Sequence, residues 1–295
     1  MRHLWLLVLL FAALPVAAQS GYESRPDVRA FIDELAERHG FVPAELGRLF
    51  SRVRRSDTVL EAIKPQPPAE RIWQDYRANF VNEKRIDAGA AFWKKNARAL
   101  ERATQTYGVP SEIIVAIIGV ETYYGRNMGR FRVVDALATL AFDYPPRSAF
   151  FRSELEHYLL LARDLNLDVF SVRGSYAGAI GIPQFMPGST RRYAVDFDGD
   201  GAIDLRANPV DAVGSVANFL KQHGWRAGEA IHLPPEASVP EQVEGSKVEM
   251  IDLGSERRVG LHNFYVLTRY NRSHFYAAAV TDLAEALRKA QSAGR

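Results

Sequence analysis

The sequence predicts a mainly α protein, α+β in class, with a small β subdomain set among helices. Three patterns carry that expectation. Apolar residues recur at one-face helical spacing from Pro26 to Lys64 and again from Ile72 to Gln222. Between Glu229 and Leu267 the texture changes to prolines and short apolar–polar alternations, the mark of short strands. Helical spacing then returns from His274 through Val280, Leu283 and Leu287. At 295 residues the chain exceeds what one small core organises, so packed units are expected.

Taken in order, residues 1–18 read as a secretory signal. Met1-Arg2-His3 is basic, Leu4 to Leu14 is apolar, and Pro15-Val16-Ala17-Ala18 offers a small-residue cleavage site after Ala18. Eleven apolar residues reach only about 16 Å as a helix, short of a bilayer of ~30 Å. Residues 19–68 form an expected helical lobe and linker. Val28, Phe31, Ile32 and Leu35 share one face, Pro26 suits a first turn and Gly40 a stop. Pro43 opens a second short helix through Leu46, Leu49 and Val53, and Pro65-Gln66-Pro67-Pro68 makes a stiff connector.

Residues 69–228 are the expected core. Phe92, Trp93, Leu100 and Tyr107 predict one long helix, broken by Gly108-Val109-Pro110. Ile113 to Val120 is apolar on every side, which calls for burial all round. Further helices are expected over 150–165 and from Asn208-Pro209 to Gly224. Residues 229–263, with Pro234-Pro235, Pro240 and the alternation from Lys247 to Asp252, form the β subdomain, and 264–290 return to helix.

Composition excludes several classes of function. With 37 Lys+Arg against 35 Asp+Glu, a net charge of +2 lacks the concentrated basic charge of a nucleic-acid binder. The absence of cysteine removes disulfides, thiolate nucleophiles, Cys-based zinc sites and thiol-linked lipid anchors. No G-x-S-x-G elbow, H-E-x-x-H pair, phosphate-binding loop or G-x-G-x-x-G occurs, and the seven histidines are scattered without metal-ligand spacing.

Three constellations carry chemistry. Glu121 follows eight small or apolar residues and precedes Thr122-Tyr123-Tyr124-Gly125. A carboxyl at the end of a buried helix, walled by aromatics, loses hydration and gains the raised pKa that a general acid needs. The plainer alternative is an acid reaching solvent where the helix surfaces. The second constellation, Gly174 to Pro187, packs small residues closely enough for backbone approach to a neighbour or a ligand, with Ser175 and Gln184 as directional donors and acceptors. It is equally compatible with a tight packing turn. The third, Asp196-Phe197-Asp198-Gly199-Asp200-Gly201-Ala202-Ile203-Asp204, sets carboxylates at calcium-loop spacing with Gly201 at the turn. Ala207 stands where the usual closing Glu belongs, and Asp211 is the substitute. A metal-free acidic turn is the alternative.

Together, Ile117-Ile118-Gly119-Val120-Glu121-Thr122, the Ala177-Gly178-Ala179-Ile180-Gly181 stretch with Gln184-Phe185-Met186-Pro187, and the acidic loop resemble the lytic murein transglycosylase B family, glycoside hydrolase family 103. The resemblance runs from roughly Tyr76 to Leu287. It implies a lysozyme-like helical core and cleavage of the β-1,4 bond between N-acetylmuramic acid and N-acetylglucosamine in peptidoglycan, without water, leaving 1,6-anhydromuramic ends. It places the single acid/base on Glu121 and the saccharide cleft at Ser175 and Gln184. Tyr76, Arg147, Phe185, Met186, Tyr270 and Asn271 would be further contacts. The family's structural calcium falls on Asp196, Asp198, Asp200, the carbonyl of Ala202, and Asp211, with the run from Asp200 to Asp211 one residue longer than the family pattern. No organic cofactor is implied.

The resemblance also implies a soluble periplasmic enzyme acting on glycan strands, with cell-wall synthesis proteins as partners, and neither nucleic acid nor, after signal cleavage, a membrane anchor. Two other functions compete. A hydrolytic muramidase on the same fold needs a second carboxylate, for which Asp143 or Glu154 could serve. A calcium-stabilised wall-binding protein needs no acid at all.

Overall fold

The computed structural model describes residues 21–65, 72–234, 236 and 247–294. The signal segment, most of the Pro-rich connector and part of the β subdomain therefore lie outside the described residues. The chain divides into two compact units, residues 1–54 and 55–295.

In the first unit, α1 (Pro26–His39) begins on its proline and stops at Gly40, whose left-handed backbone (φ 67°) lets its N–H close on the Ala36 carbonyl. Helix α2 (Pro43–Phe50) buries Leu46 and Phe50. Phe50 meets Phe31 edge to face at 6.2 Å, so the two short helices share one small core with Val28, Ile32 and Leu35.

The second unit holds α3 (Asp57–Ile63), α4 (Trp73–Phe80), α5 (Glu83–Lys95), α6 (Ala97–Tyr107), α7 (Ser111–Thr122), α8 (Val133–Asp143), α9 (Ser148–Asp164), α10 (Pro187–Tyr193), α11 (Pro209–Gln222), α12 (His262–Tyr270) and α13 (His274–Ser292). Helix α3 was expected with the amino-terminal lobe, but it packs on α8, and the Ser56 N–H donates to Thr139 Oγ1 at 3.0 Å. The expected single helix through Phe92 and Tyr107 is two helices. Asn96 separates them: its backbone turns to φ −112°, ψ 20°, and its side-chain amide takes the Phe92 carbonyl at 2.8 Å. An Asn side chain that competes for helix carbonyls ends helices for this reason.

Helix α7 is the axis of the unit. Every residue from Ile113 to Gly119 is buried, and α5, α6, α11 and α13 pack around it. All-round apolarity is what such a position requires. The strands are short. β1 (Phe131–Arg132) pairs antiparallel with β2 (Arg173–Gly174), bringing the loop after α7 beside the glycine-rich segment. A three-stranded antiparallel sheet runs in the order β3 (His232–Leu233), β5 (Arg257–Gly260), β4 (Glu249–Asp252). In β4 only Ile251 points inward.

Candidate active site

Glu121 is the penultimate residue of α7, and the chain leaves that helix through Tyr123 and Tyr124, both left-handed at φ 52° and 60°. Two consecutive non-glycine residues in that region are uncommon, and such strain gathers where a surrounding structure fixes a site. Glu121 Oε1 accepts the Tyr276 hydroxyl at 2.7 Å. Burial pushes the Glu121 pKa up from an ordinary carboxylate value to about 7, against the opposing pull of the Tyr276 hydrogen bond, and no second carboxylate contributes to the shift. The phenols of Tyr276 and Tyr270 are raised well above their usual range, by burial first and by the Glu121 charge second.

Tyr276 is 2% exposed in the first turn of α13 and lies nearly parallel to Tyr270, with ring centroids 6.4 Å apart. Tyr270 anchors its hydroxyl on the Pro183 carbonyl at 2.6 Å. Tyr76, on α4, sits in an aromatic group with Trp73, Phe80 and Phe275, and its phenol is near enough to add to the shift of Tyr276. Asn271 is exposed in the turn between α12 and α13.

The glycine-rich segment folds back on itself. Ser175 Oγ accepts the N–H groups of Ala177 and Ala179 at 3.3 and 3.0 Å, and single bridges join Gly174 to Ile180 and Ile180 to Phe185. Gln184, left-handed at φ 52°, donates through Nε2 to the carbonyls of Gly181 at 2.9 Å and Met128 at 3.2 Å. The second bond ties this segment to the loop leaving Glu121. Gly129 in that loop shows how close the approach is: a Cβ there would lie 2.0 Å from the Gly174 carbonyl oxygen and 2.5 Å from the Ser175 nitrogen, in a backbone at φ 94°.

The structure thus brings Tyr276 and Tyr270 to the Glu121 carboxyl, sets Tyr76 beside Tyr276, and ties the Ser175–Gln184 segment to the loop that leaves the same helix end. Other expected contacts sit differently. Phe185 is 2% exposed and packs against Phe219 and Tyr270, at 5.5 and 5.8 Å, so it supports the tyrosine rather than facing a ligand. Met186 is half-buried and holds the start of α10 through its carbonyl. Arg147 is exposed between α8 and α9, with its guanidinium over Phe150 and Phe151. Of the two carboxylates a hydrolase could have used, Asp143 faces Arg55 at 3.9 Å and Glu154 accepts the Gly188 N–H at 2.8 Å, holding the first turn of α10. Tyr276 escaped sequence reasoning: it is 155 residues from Glu121 and sits in an amphipathic helix whose apolar spacing accounts for it.

The acidic loop converges. Carboxylate oxygens of Asp196, Asp198 and Asp211 lie within 4.8 Å of one another. Asp211, in the first turn of α11, has no exposed surface, and it accepts the Phe197 N–H at 2.8 Å and the Asp204 N–H at 2.9 Å. Burial raises its pKa, and the charges of Asp198 and Asp196 raise it further. A buried carboxylate facing two others, all hard oxygen donors, fits a calcium-sized cation that offsets their repulsion. Asp200 is exposed and outside this group of three, its Oδ1 taken by the Ala202 N–H.

A cavity of about 580 Å³ lined by Leu161, Leu165, Val172, Ile180, Ile203 and Leu205 includes none of the residues around Glu121. Asp164, Asn166, Asp204 and Arg206 also line it, so it adjoins the acidic loop rather than the Glu121 carboxyl.

One half-buried acid with a near-neutral pKa, beside phenols on a mainly helical, lysozyme-like frame, defines a glycosidic-bond-cleaving class of enzyme. The sequence profile of the transglycosylase SLT domain matches residues 23–257 and 243–285. The membrane-bound lytic murein transglycosylase B of Escherichia coli is 40% identical over 90% of this chain and 84% of its own. The soluble lytic transglycosylase SltB1 of Pseudomonas aeruginosa superposes with a TM-score of 0.84 at 46% identity, over 90% of this chain and all of that one. The E. coli lytic transglycosylase Slt35, solved in complex with calcium, gives 0.81 at 42% identity, over 91% of this chain and 95% of that one. The chain belongs to the transglycosylase SLT family, and it is a lytic murein transglycosylase, a peptidoglycan-cleaving enzyme.

Proposed function

We propose that Glu121 performs the whole reaction alone, first as acid and then as base, on the bond between N-acetylmuramic acid and N-acetylglucosamine. The observation that carries this is the Glu121 carboxyl itself, buried to a pKa of about 7, bonded to Tyr276, and shifted by no second carboxylate. Near neutral pH a large share of it is protonated, as a proton donor requires. Its proton passes to the glycosidic oxygen as the C1–O4 bond breaks, and the departing N-acetylglucosamine keeps it. Charge then builds at muramyl C1, where the substrate's own 2-acetamido group assists. The Glu121 carboxylate, held by the Tyr276 hydroxyl, next takes the proton of the muramyl 6-hydroxyl as that oxygen bonds to C1. The 1,6-anhydro ring closes, Glu121 is again protonated, and no water is consumed.

Most glycosidases use two carboxylates. The engagements of Asp143 with Arg55 and of Glu154 with Gly188 favour the one-acid route over hydrolysis. Ser175, Gln184, Tyr76, Tyr270, Met186 and Asn271 line the glycan path in this reading, with Arg147 further out. Asp196, Asp198 and Asp211 would hold a structural calcium, while Asp200 stands outside their group. No helix among the described residues is long and apolar enough to cross a membrane. The signal-type pattern of residues 1–18 supports action on glycan strands in the periplasm.

The test is product mass on isolated sacculi. Wild type is expected to release anhydromuramic ends, and Glu121→Gln to release none while still binding glycan. Reducing ends, or turnover by the Gln variant, would overturn the assignment.

A further inference from the structure

Helix α7 ends on a buried hydroxyl that no step of the reaction consumes. Thr122, next to the acid, is 1% exposed. Its Oγ1 lies 3.3 Å from the Ile118 carbonyl one turn back, the usual outlet for a threonine in a helix. It also lies 2.8 Å from the Ile182 carbonyl, to which it donates, and it accepts the Gly125 N–H at 2.9 Å. Ile182 is 60 residues further on, between Ser175 and Gln184, and is itself buried. One hydroxyl therefore joins the last turn of the acid's helix, the strained turn that follows it and the glycine-rich segment.

We infer that Thr122 is a positioning residue: its hydroxyl sets the distance between the Glu121 carboxyl and the glycan-holding segment Ser175–Gln184. The inference rests on the reading of Glu121 as the acid. Proton transfer needs donor and acceptor within about 2.6–3.2 Å, and a displacement of about 1 Å can lower a rate roughly a hundredfold. The glycine-rich segment keeps its own shape without Thr122, because Ser175 Oγ holds Ala177 and Ala179, Gln184 holds Gly181, and the Ile182 N–H donates to the Leu205 carbonyl at 2.8 Å. The link from Gln184 to Met128 also survives. Loss of the hydroxyl therefore leaves the sugar-binding surface in place and loosens only its register to the acid.

Thr122→Val keeps the side-chain shape and deletes the hydroxyl, whereas Thr122→Ser keeps the hydroxyl. Turnover of soluble glycan strands, measured well below each variant's melting temperature, is expected to show kcat of the Val variant lower by roughly ten- to a hundredfold, with KM within about threefold of wild type. The Ser variant should recover to within about threefold in kcat. If the Val protein does not fold, Thr122→Ala takes its place under the same criterion. A kcat close to wild type without the hydroxyl overturns the inference. So does a matching loss in KM and kcat that Ser fails to restore, since that marks a collapsed segment rather than a lost register. Glu121→Gln runs alongside: if that variant turns over, the assignment of the acid fails, whatever Thr122 does.

Discussion

At Glu121 two opposed effects meet on one carboxyl: burial raises its pKa to about 7, and the Tyr276 hydroxyl, 2.7 Å away, pulls it back. Removing the hydroxyl leaves burial unopposed. Tyr276→Phe should therefore move the alkaline limb of the pH–rate profile upward, because the acid keeps its proton to higher pH. Hydrogen bonds to charged groups are worth about 1.5–3 kcal/mol, so the shift is roughly one to two pH units. In the proposed mechanism the same change removes a partner that the anion needs before it takes the 6-hydroxyl proton, so kcat should fall at every pH. A profile of kcat against pH decides it, and a limb that stays put or moves down contradicts the geometry. Sequence reached Glu121 because eight preceding small or apolar residues announce burial, and burial alone dictates the direction of its shift. It did not reach Tyr276 or the clasp at Thr122, since both act through partners 155 and 60 residues distant, pairings that only the packed chain creates.

Among the elements, those set by local chemistry were legible and those set by packing were not. Pro26, Pro43 and Asn208-Pro209 mark helix starts that the structure keeps, with Asn208 accepting the Val210 N–H. The break at Asn96 was hidden because Asn is tolerated inside a helix, and only its bond to the Phe92 carbonyl shows that it ends one. The acidic loop was readable as a ligand pattern, Asp211 included, and the first turn of α11 brings an Asp211 carboxylate oxygen to within 4.8 Å of those of Asp196 and Asp198 despite the extra residue of spacing. Calcium should therefore tie the loop to α11. Excess calcium is expected to raise the melting midpoint of the wild type by roughly 5–10 °C, from about 2–3 kcal/mol of binding linkage. Asp211→Asn keeps the side-chain size and loses the charge, and it should melt at the same temperature with calcium or with chelator. An equal rise in both proteins, or none in the wild type, rules the tie out.

For the larger unit as a whole, the decisive fact is that the helix bearing the acid is also the centre of the core. Ile113 to Ile118 are all buried to 2% exposure or less, and α5, α6, α11 and α13 pack on them from several sides. With no cysteine in the chain, no disulfide supplements that packing. If Glu121 is the proposed acid, stability and catalysis share α7, yet a core mutation and a site mutation should still separate. Ile117 is fully buried, four residues before Glu121 and five before Thr122, and its hydrocarbon side chain makes no hydrogen bond. Ile117→Ala leaves a cavity, and such truncations lower stability by about 2–5 kcal/mol. The urea midpoint should fall with little change in the slope of the transition, while activity per folded molecule at low temperature stays near that of the wild type. Thr122→Val should do the reverse, losing turnover for a smaller loss of midpoint. If Ile117→Ala instead abolishes turnover while folded, the acid's position depends on core packing along the whole of α7, and the clasp at its end is not what holds it.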